Sequence, residues 1–178
     1  KECDAVVCYP GGFGTLDEAL EVLTLIQTGK RELVPVIFAD APGGNFWTTL
    51  DHFIREHLLR DGMISPDDLH LYSVTDNYEE AALEIMNYYR VFHSMRYVGR
   101  DLVLRLHQAL SESLLATIKQ DFADILNGGE FEQHAGRLEE EKDDETTNDM
   151  SRLVFNFNRR AHGRLRLLIN LINASAGE

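Results

Sequence analysis

Tyr9-Pro10-Gly11-Gly12-Phe13-Gly14-Thr15-Leu16-Asp17-Glu18 is a glycine-rich turn between an apolar run, Ala5 to Tyr9, and a stretch from Thr15 to Thr28 whose apolar residues recur at helical spacing. The same rhythm continues beyond it. Val34 to Ala39 reads as a second strand and Asn45 to Arg60 as a helix, then Leu69 to Val74 as a third strand and Tyr78 to Arg90 as a helix. Gly29 closes the first helix, Pro35 opens the second strand, and Pro42-Gly43-Gly44 separates that strand from its helix. Short continuous apolar strands alternating with helices predict a Rossmann-like α/β fold with a parallel sheet flanked by helices. Three strands are few for such a domain, and the chain starts at Lys1 rather than Met. Both observations lead us to expect an N-terminal portion outside this sequence that supplies the remaining strands.

On the first helix Leu16, Leu20, Leu23 and Ile26 share a face, and Ala19, Val22 and Leu25 broaden it beyond what one sheet face needs. A partner subunit or deep burial within one domain would each account for that width. Beyond residue 92 the period changes. Leu102, Leu104 and Leu106 alternate with Val103, Arg105 and His107 as a half-exposed strand, and Ser111 offers an N-cap to a helix carrying Leu114, Ile118, Phe122 and Ile125. Gly128-Gly129 ends that helix, and Glu130 to His134 reads as a short strand. The acidic stretch 139–149 reads as a solvated or disordered loop. Leu153, Phe155 and Phe157 then alternate, and a last helix groups Leu165, Leu168, Ile169 and Ile172. We therefore expect residues 1–92 to be the C-terminal part of a Rossmann-like domain and residues 93–178 an α+β appendage of order β, α, β, β, α.

Composition narrows the function classes. The 178 residues are 44% apolar and 26% charged, with a net charge of −13. Residues 1–92 hold 6 Lys and Arg against 16 Asp and Glu, and residues 93–178 hold 11 against 14. No apolar window approaches the ~20 residues that span a bilayer, so no membrane partner is expected. The acidity argues against sequence-independent nucleic-acid binding, which depends on Lys and Arg neutralising phosphates. Cys3 and Cys8 form neither a CxxC pair nor a disulfide framework; we read both as packing residues in a reducing, cytoplasmic compartment.

The glycine turn carries the chemistry. Glycines permit unusual backbone angles and close approach of a ligand, and the N–H groups and dipole at a helix start attract an anion such as phosphate. Thr15 can add its hydroxyl. The turn is neither the P-loop pattern, which needs Lys after the last glycine, nor GxGxxG. Thr15 and Glu18 also fit a Thr-x-x-Glu capping box, which would satisfy the helix start with no ligand. The acid density speaks for the ligand. Asp17, Glu18 and Glu21 would repel a phosphate unless another part of the ligand carries positive charge. Cleavage of an N-glycosidic bond passes through an oxocarbenium-like state that a nearby carboxylate stabilises more than the ground state.

The run Pro10 to Glu18 matches PGGxGTxxE, and with Leu23-Thr24-Leu25-Ile26-Gln27-Thr28-Gly29-Lys30 it resembles the LOG (LONELY GUY) family over roughly residues 1–90, in the manner of long bacterial members with a C-terminal extension. The resemblance implies a Rossmann-like phosphoribohydrolase that hydrolyses nucleoside 5′-monophosphates, AMP or cytokinin nucleotides, to free base and ribose 5-phosphate. It implies phosphate binding by Gly11, Gly12, Gly14 and Thr15, catalysis by the carboxylate of Glu18, no cofactor, and a homodimer or higher homo-oligomer. It also implies a catalytic Arg a few residues before Lys1 and an earlier GGGPG segment, both outside this sequence. The rival from another class is a non-catalytic nucleotide-binding or regulatory module that keeps the phosphate loop.

Relatives of this family also carry the label "possible lysine decarboxylase". Pyridoxal-phosphate chemistry needs a Schiff-base Lys; the lysines are Lys1, Lys30, Lys119 and Lys142, and Lys30 directly follows Gly29 at a helix end where a cation suits the dipole, so nothing in the sequence supports lysine decarboxylation. The seven histidines show no HExxH-type spacing, and His52 and His57 lie off a shared face, so no metal is expected. Arg152, Arg159, Arg160, Arg164 and Arg166 read as a solvated face balancing the acidic stretch in preference to a reader of a nucleotide effector, and Phe46 with Trp47 as core or interface residues.

Overall fold

A computed structural model describes residues 3–141 and 145–175. The chain divides into two compact units, Lys1–Met86 with Arg160–Arg166, and Asn87–Arg159 with Leu167–Glu178.

The first unit is a three-stranded parallel sheet of order β1-β2-β3, formed by β1 (Val6–Cys8), β2 (Val36–Ala39) and β3 (Ser73–Thr75). Helices α1 (Phe13–Gln27), α2 (Phe46–Phe53) and α3 (Tyr78–Tyr88) follow the three strands in turn. The central strand is buried throughout, as its unbroken Val36-Ile37-Phe38-Ala39 run requires, while β1 and β3 are half-buried. Trp47 anchors α2 by stacking on Phe38, with ring centroids 4.5 Å apart, and is fully buried, the core role expected of it.

Three local readings change. The expected strand from Leu69 is instead a 3₁₀ helix, Pro66–Leu71, and β3 starts only at Ser73. Ser65 and Asp68 close a capping box there, and Pro66 presets the first turn, so local capping overrides the apolar run. The second helix passes into a π-helical turn, Ile54–Leu59. The wide apolar face of α1 is not deeply buried: only Ala19 and Ile26 are, and Leu20 is 41% exposed. Leu20 and Leu23 face instead a cavity of about 250 Å³ whose wall includes Ile54, Leu58 and Tyr72.

Helix α5 (His162–Ala174) contributes its first turn to this unit. The ring of His162 lies on Gly29, Gly163 packs against the carbonyl of Asp67, and Arg166 donates to Glu84 at 2.6 Å. Gly29 has a φ of 69°, and the N–H of Lys30 reaches back to the Leu25 carbonyl to end α1.

The second unit is an antiparallel sheet of order β4-β5-β7-β6, from β4 (Phe92–Val98), β5 (Asp101–Leu106), β6 (Glu132–His134) and β7 (Ser151–Phe155). Strand β4 was not expected; it follows α3 with no helix breaker to announce it. Helix α4 (Glu112–Asp121) is capped as expected, the Ser111 hydroxyl accepting from Leu114 N–H at 3.2 Å. Leu165, Leu168, Ile169 and Ile172 on α5 are all fully buried. The Asn173 carboxamide, on the same helix, accepts from the N–H groups of Val91 and Phe92 and donates to the Tyr88 carbonyl, pinning the start of β4.

Two expectations about charge fail in this unit. Strand β5 is not half-exposed: Leu102 to Leu106 are all buried, Arg105 included. The stretch 139–149 is not simply a solvated loop either, because Glu141 is 0% exposed. Its carboxylate accepts from Arg105 Nε at 3.0 Å on one oxygen, and from Arg152 Nε at 2.9 Å and Leu138 N–H at 3.2 Å on the other. Residues 142–144 of that stretch lie outside the described residues. Arg152 and Arg166, expected on a solvated face, are buried in ion pairs with Glu141 and Glu84. A charge can enter a core only when a partner enters with it, which a pattern of single residues cannot show.

Candidate functional site

In a parallel sheet ligands gather beyond the carboxyl ends of the strands, and here those ends are Tyr9, Asp40 and Asp76. The glycine turn follows β1 at this edge. Helix α1 begins at Phe13, with Gly12 as its cap and no side-chain cap hydrogen bond. The Thr15–Glu18 capping box therefore does not form; Thr15 lies inside the first turn, two residues past the start. The N–H of Leu16 reaches the Gly12 carbonyl at 3.2 Å, and those of Phe13, Gly14 and Thr15 have no intrahelical acceptor, as at any helix start. The turn brings Gly11 and Thr15 together so closely that a Cβ on Gly11 would collide with the Thr15 hydroxyl.

The glycines do not serve unusual backbone angles, contrary to expectation. None of Gly11, Gly12 and Gly14 has a positive φ, and Gly12 sits at −86°. A Cβ added at Gly12 or Gly14 would meet nothing within 4 Å.

Asp17, Glu18 and Glu21 are exposed on the first turns of α1. Side chains on a helix lean toward its N-terminus, so Glu18 covers the turn that holds Gly14 and Thr15. Burial pushes the Cys8 thiol up, and the negative charge of Glu18 pushes it further. Cys3, read as a packing residue, is exposed, and its sulfur accepts from Arg31 at 2.8 Å; Cys8 is half-buried.

Several residues at this edge were passed over in the sequence. Asp40 is 1% exposed, and one of its carboxylate oxygens accepts from Trp47 N–H at 3.0 Å, capping α2 from the preceding strand. Asp76 accepts from Gly43 N–H at 2.9 Å and so holds the loop after β2. Tyr9 and Tyr78 meet edge to face, with centroids 6.4 Å apart. The available signal was an acid directly after the second and third apolar strands. Among the described residues no cluster of three His, Cys, Asp or Glu side chains gathers as metal ligands, and no helix is long and apolar enough to cross a membrane.

A parallel α/β sheet whose strands alternate with helices, the first running through an open glycine turn into a helix N-terminus, defines the class: a Rossmann-like α/β protein. The comparisons with known proteins point the same way. Residues 1–85 match the family model described as "Possible lysine decarboxylase". Cytokinin riboside 5′-monophosphate phosphoribohydrolase LOG1 of Arabidopsis thaliana is 33% identical over 88 residues, 49% of this chain and 39% of that protein. LOG3 of the same plant is 39% identical over 66 residues, 37% of this chain and 29% of its own. A probable cytokinin riboside 5′-monophosphate phosphoribohydrolase, LOGL3 of Oryza sativa subsp. japonica, is 36% identical over 67 residues, 37% of this chain and 29% of that protein. The chain thus spans about two fifths of the length of the first of these relatives. The resemblance read from the glycine turn thus extends over residues 1–85, the part of the chain that is similar to these relatives.

Proposed function

We propose that the chain is part of a nucleoside 5′-monophosphate phosphoribohydrolase, with AMP or cytokinin-type nucleotides as substrates. The observation that carries this reading is the openness of Gly12 and Gly14. Neither backbone conformation nor packing within the chain calls for glycine there. A ligand lying directly against the backbone does, and the positive end of α1 makes that ligand an anion. The backbone of Gly11, Gly12 and Gly14 and the hydroxyl of Thr15 hold the 5′-phosphate.

Anchoring the phosphate carries the ribose over the first turn of α1, where Glu18 stands. As the bond from C1′ to the base nitrogen lengthens, positive charge grows on the ribose ring, and the Glu18 carboxylate stabilises it more than it stabilises the bound nucleotide. Water supplies a hydroxyl to C1′, and the base departs with the remaining proton, giving free base and ribose 5-phosphate. We assign the enzyme to the cytoplasm, consistent with two free thiols, and to a homodimer or higher assembly, which would cover the 93% exposed ring of Phe13 and the half-covered Leu20 on α1. The division into a LOG-like part, 1–92, and an extension, 93–178, belongs to the same proposal.

Glu18→Gln tests the assignment in the full-length protein. Release of ribose 5-phosphate from AMP should fall about a thousandfold, on the order of 4 kcal/mol, while calorimetric AMP affinity stays within about threefold. Unchanged turnover would remove Glu18 from catalysis. Binding of AMP with no product from the unmodified protein would favour the non-catalytic module.

A further inference from the structure

The first unit holds a cavity on the flank of α1 that the hydrolase reading does not use. Leu20, Leu23, Ile54, Leu58, Ile64 and Leu71 make its apolar wall, around a volume of about 250 Å³. Leu20 is 41% exposed, so the cavity opens to the surface there. Protein interiors close-pack and leave few voids larger than a water molecule, and a dry apolar void of about 150 Å³ already holds benzene. Ile54 and Leu58 reach the wall from the π-helical turn Ile54–Leu59. Such turns are rare and concentrate at functional sites.

The polar groups in the wall decide what can enter. The Thr24 hydroxyl donates to the Leu20 carbonyl at 2.8 Å, the Tyr72 hydroxyl to Asp51 at 2.7 Å, and the Gln27 amide to Asp68 Oδ2 at 2.7 Å. Each donor group in the wall thus already has an acceptor within the chain. Asp68 Oδ2 also accepts from Ser65 N–H at 2.8 Å, so both of these bonds fall on one oxygen. Among the described residues the other oxygen, Oδ1, receives no hydrogen bond, and no Lys or Arg pairs with the carboxylate. His162 feels the charge of Asp68, but burial lowers its pKa, so at about pH 7.5 it brings no compensating proton. What remains for a guest is apolar surface, with acceptor oxygens and one negative charge where Gln27 meets Asp68.

We propose that this cavity binds a small apolar amine in its ammonium form, an alkyl or arylalkyl ammonium, with its hydrocarbon body against the leucine and isoleucine side chains and its N–H groups on Asp68 Oδ1 and the Gln27 carboxamide oxygen. An ammonium brings three donors and the charge that the wall lacks, whereas a carboxylate or phosphate would be repelled by Asp68. None of these residues belongs to the glycine turn, so the site stands apart from the hydrolase reading.

Calorimetry of the full chain at about pH 7.5, with phenethylamine in one arm and phenethyl alcohol in the other, tests this. The two compounds share an apolar body and differ in the charge. The amine should bind about tenfold more tightly, the worth of one charge-assisted hydrogen bond. Asp68→Asn keeps an acceptor for Ser65 N–H and should remove that preference. Leu20→Trp, at an exposed position, narrows the cavity and should weaken the amine about tenfold. The exposed acids at the start of α1 also attract cations, so the cavity's share is the binding that Leu20→Trp removes. If loss of the cap unfolds Asp68→Asn, the ratio of amine to alcohol in the unmodified chain still reads the charge, and Leu20→Trp the place. Binding of neither compound overturns the proposal, and a partner subunit filling the cavity would give that result. Equal affinity for the two compounds also overturns it, as does amine binding unchanged in either folded variant.

Discussion

In Lys1–Met86 with Arg160–Arg166, the carboxylates of Asp17, Glu18 and Glu21 stand exposed around an open glycine turn; in Asn87–Arg159 with Leu167–Glu178, Glu141 is sealed between Arg105 and Arg152. The same functional group thus serves two ends. An exposed carboxylate beside a helix N-terminus adds little to stability, because water and salt screen it, yet it remains available to a ligand. A buried carboxylate has no such freedom. Burial alone would push the Glu141 carboxyl up, but hydrogen bonds from Arg152, Leu138 N–H and Arg105 hold it below its usual range. The first arrangement is suited to chemistry on something outside the chain, the second to locking a loop onto a sheet.

The largest effect that can break this contrast is at Glu141. Glu141→Gln leaves two buried guanidiniums facing a neutral amide, and losing one partner of a buried pair costs about 3–5 kcal/mol. Urea denaturation should register that loss, with the melting temperature falling on the order of 10 °C. A loss below about 1 kcal/mol would mean that Glu141 is no more than a surface acid. Next in size is Gly163→Ala. A Cβ there would strike the Asp67 carbonyl, so the first turn of α5 must shift, at about 1–3 kcal/mol. Gly12→Ala sharpens the comparison from the other side. Its Cβ enters open space, so stability should change by less than about 0.5 kcal/mol. Phosphate or AMP affinity should nevertheless fall several-fold. Lost stability with unchanged affinity would make the turn structural.

The sequence shows the first unit well because its determinants are local. Strand, glycine turn and helix lie within about twenty contiguous residues, and each apolar run has its own punctuation. The placement of Gly11, Gly12, Gly14, Thr15 and Glu18 on one turn and the helix that follows it was legible for the same reason. Asp40 and Asp76 were not, because they reach the same edge only when three strands separated by helices are laid side by side. Strand β5 shows the opposite limit. The alternation Leu102 to His107 is that of a strand with one wet face, and Arg105 fits a wet face well. What buries Arg105 is a carboxylate 36 residues away inside an acidic stretch that, read by composition, belongs in water. Long-range charge pairing leaves no trace in periodicity.

The smallest effect separates the two units by pH. The ring of His162 packs on Gly29 so tightly that a Cβ there would come 2.8 Å from its Cε1. Burial lowers its pKa from 6.5, while the Gln27 carbonyl and the charge of Asp68 pull it back only in part. Since the unfolded chain binds this proton more readily than the folded one, the contribution is complete above about pH 6.5 and is lost as pH falls from there toward the folded value. Glu141 obeys the same sign in a lower window: its contribution is complete above the ordinary value of 4.5 and is lost only as pH falls below it. Acidification should therefore weaken the first unit before the second. Urea midpoints at pH 7.5 and 5.5 should differ in the native chain, and that difference should shrink in His162→Gln, whose amide can meet the Gln27 carbonyl without titrating. Native-state hydrogen exchange would place the loss at the end of α1 and the first turn of α5. An equal loss across β5 and β7 in that pH range would mean that the His162 contact does not set the order in which the units respond to acid.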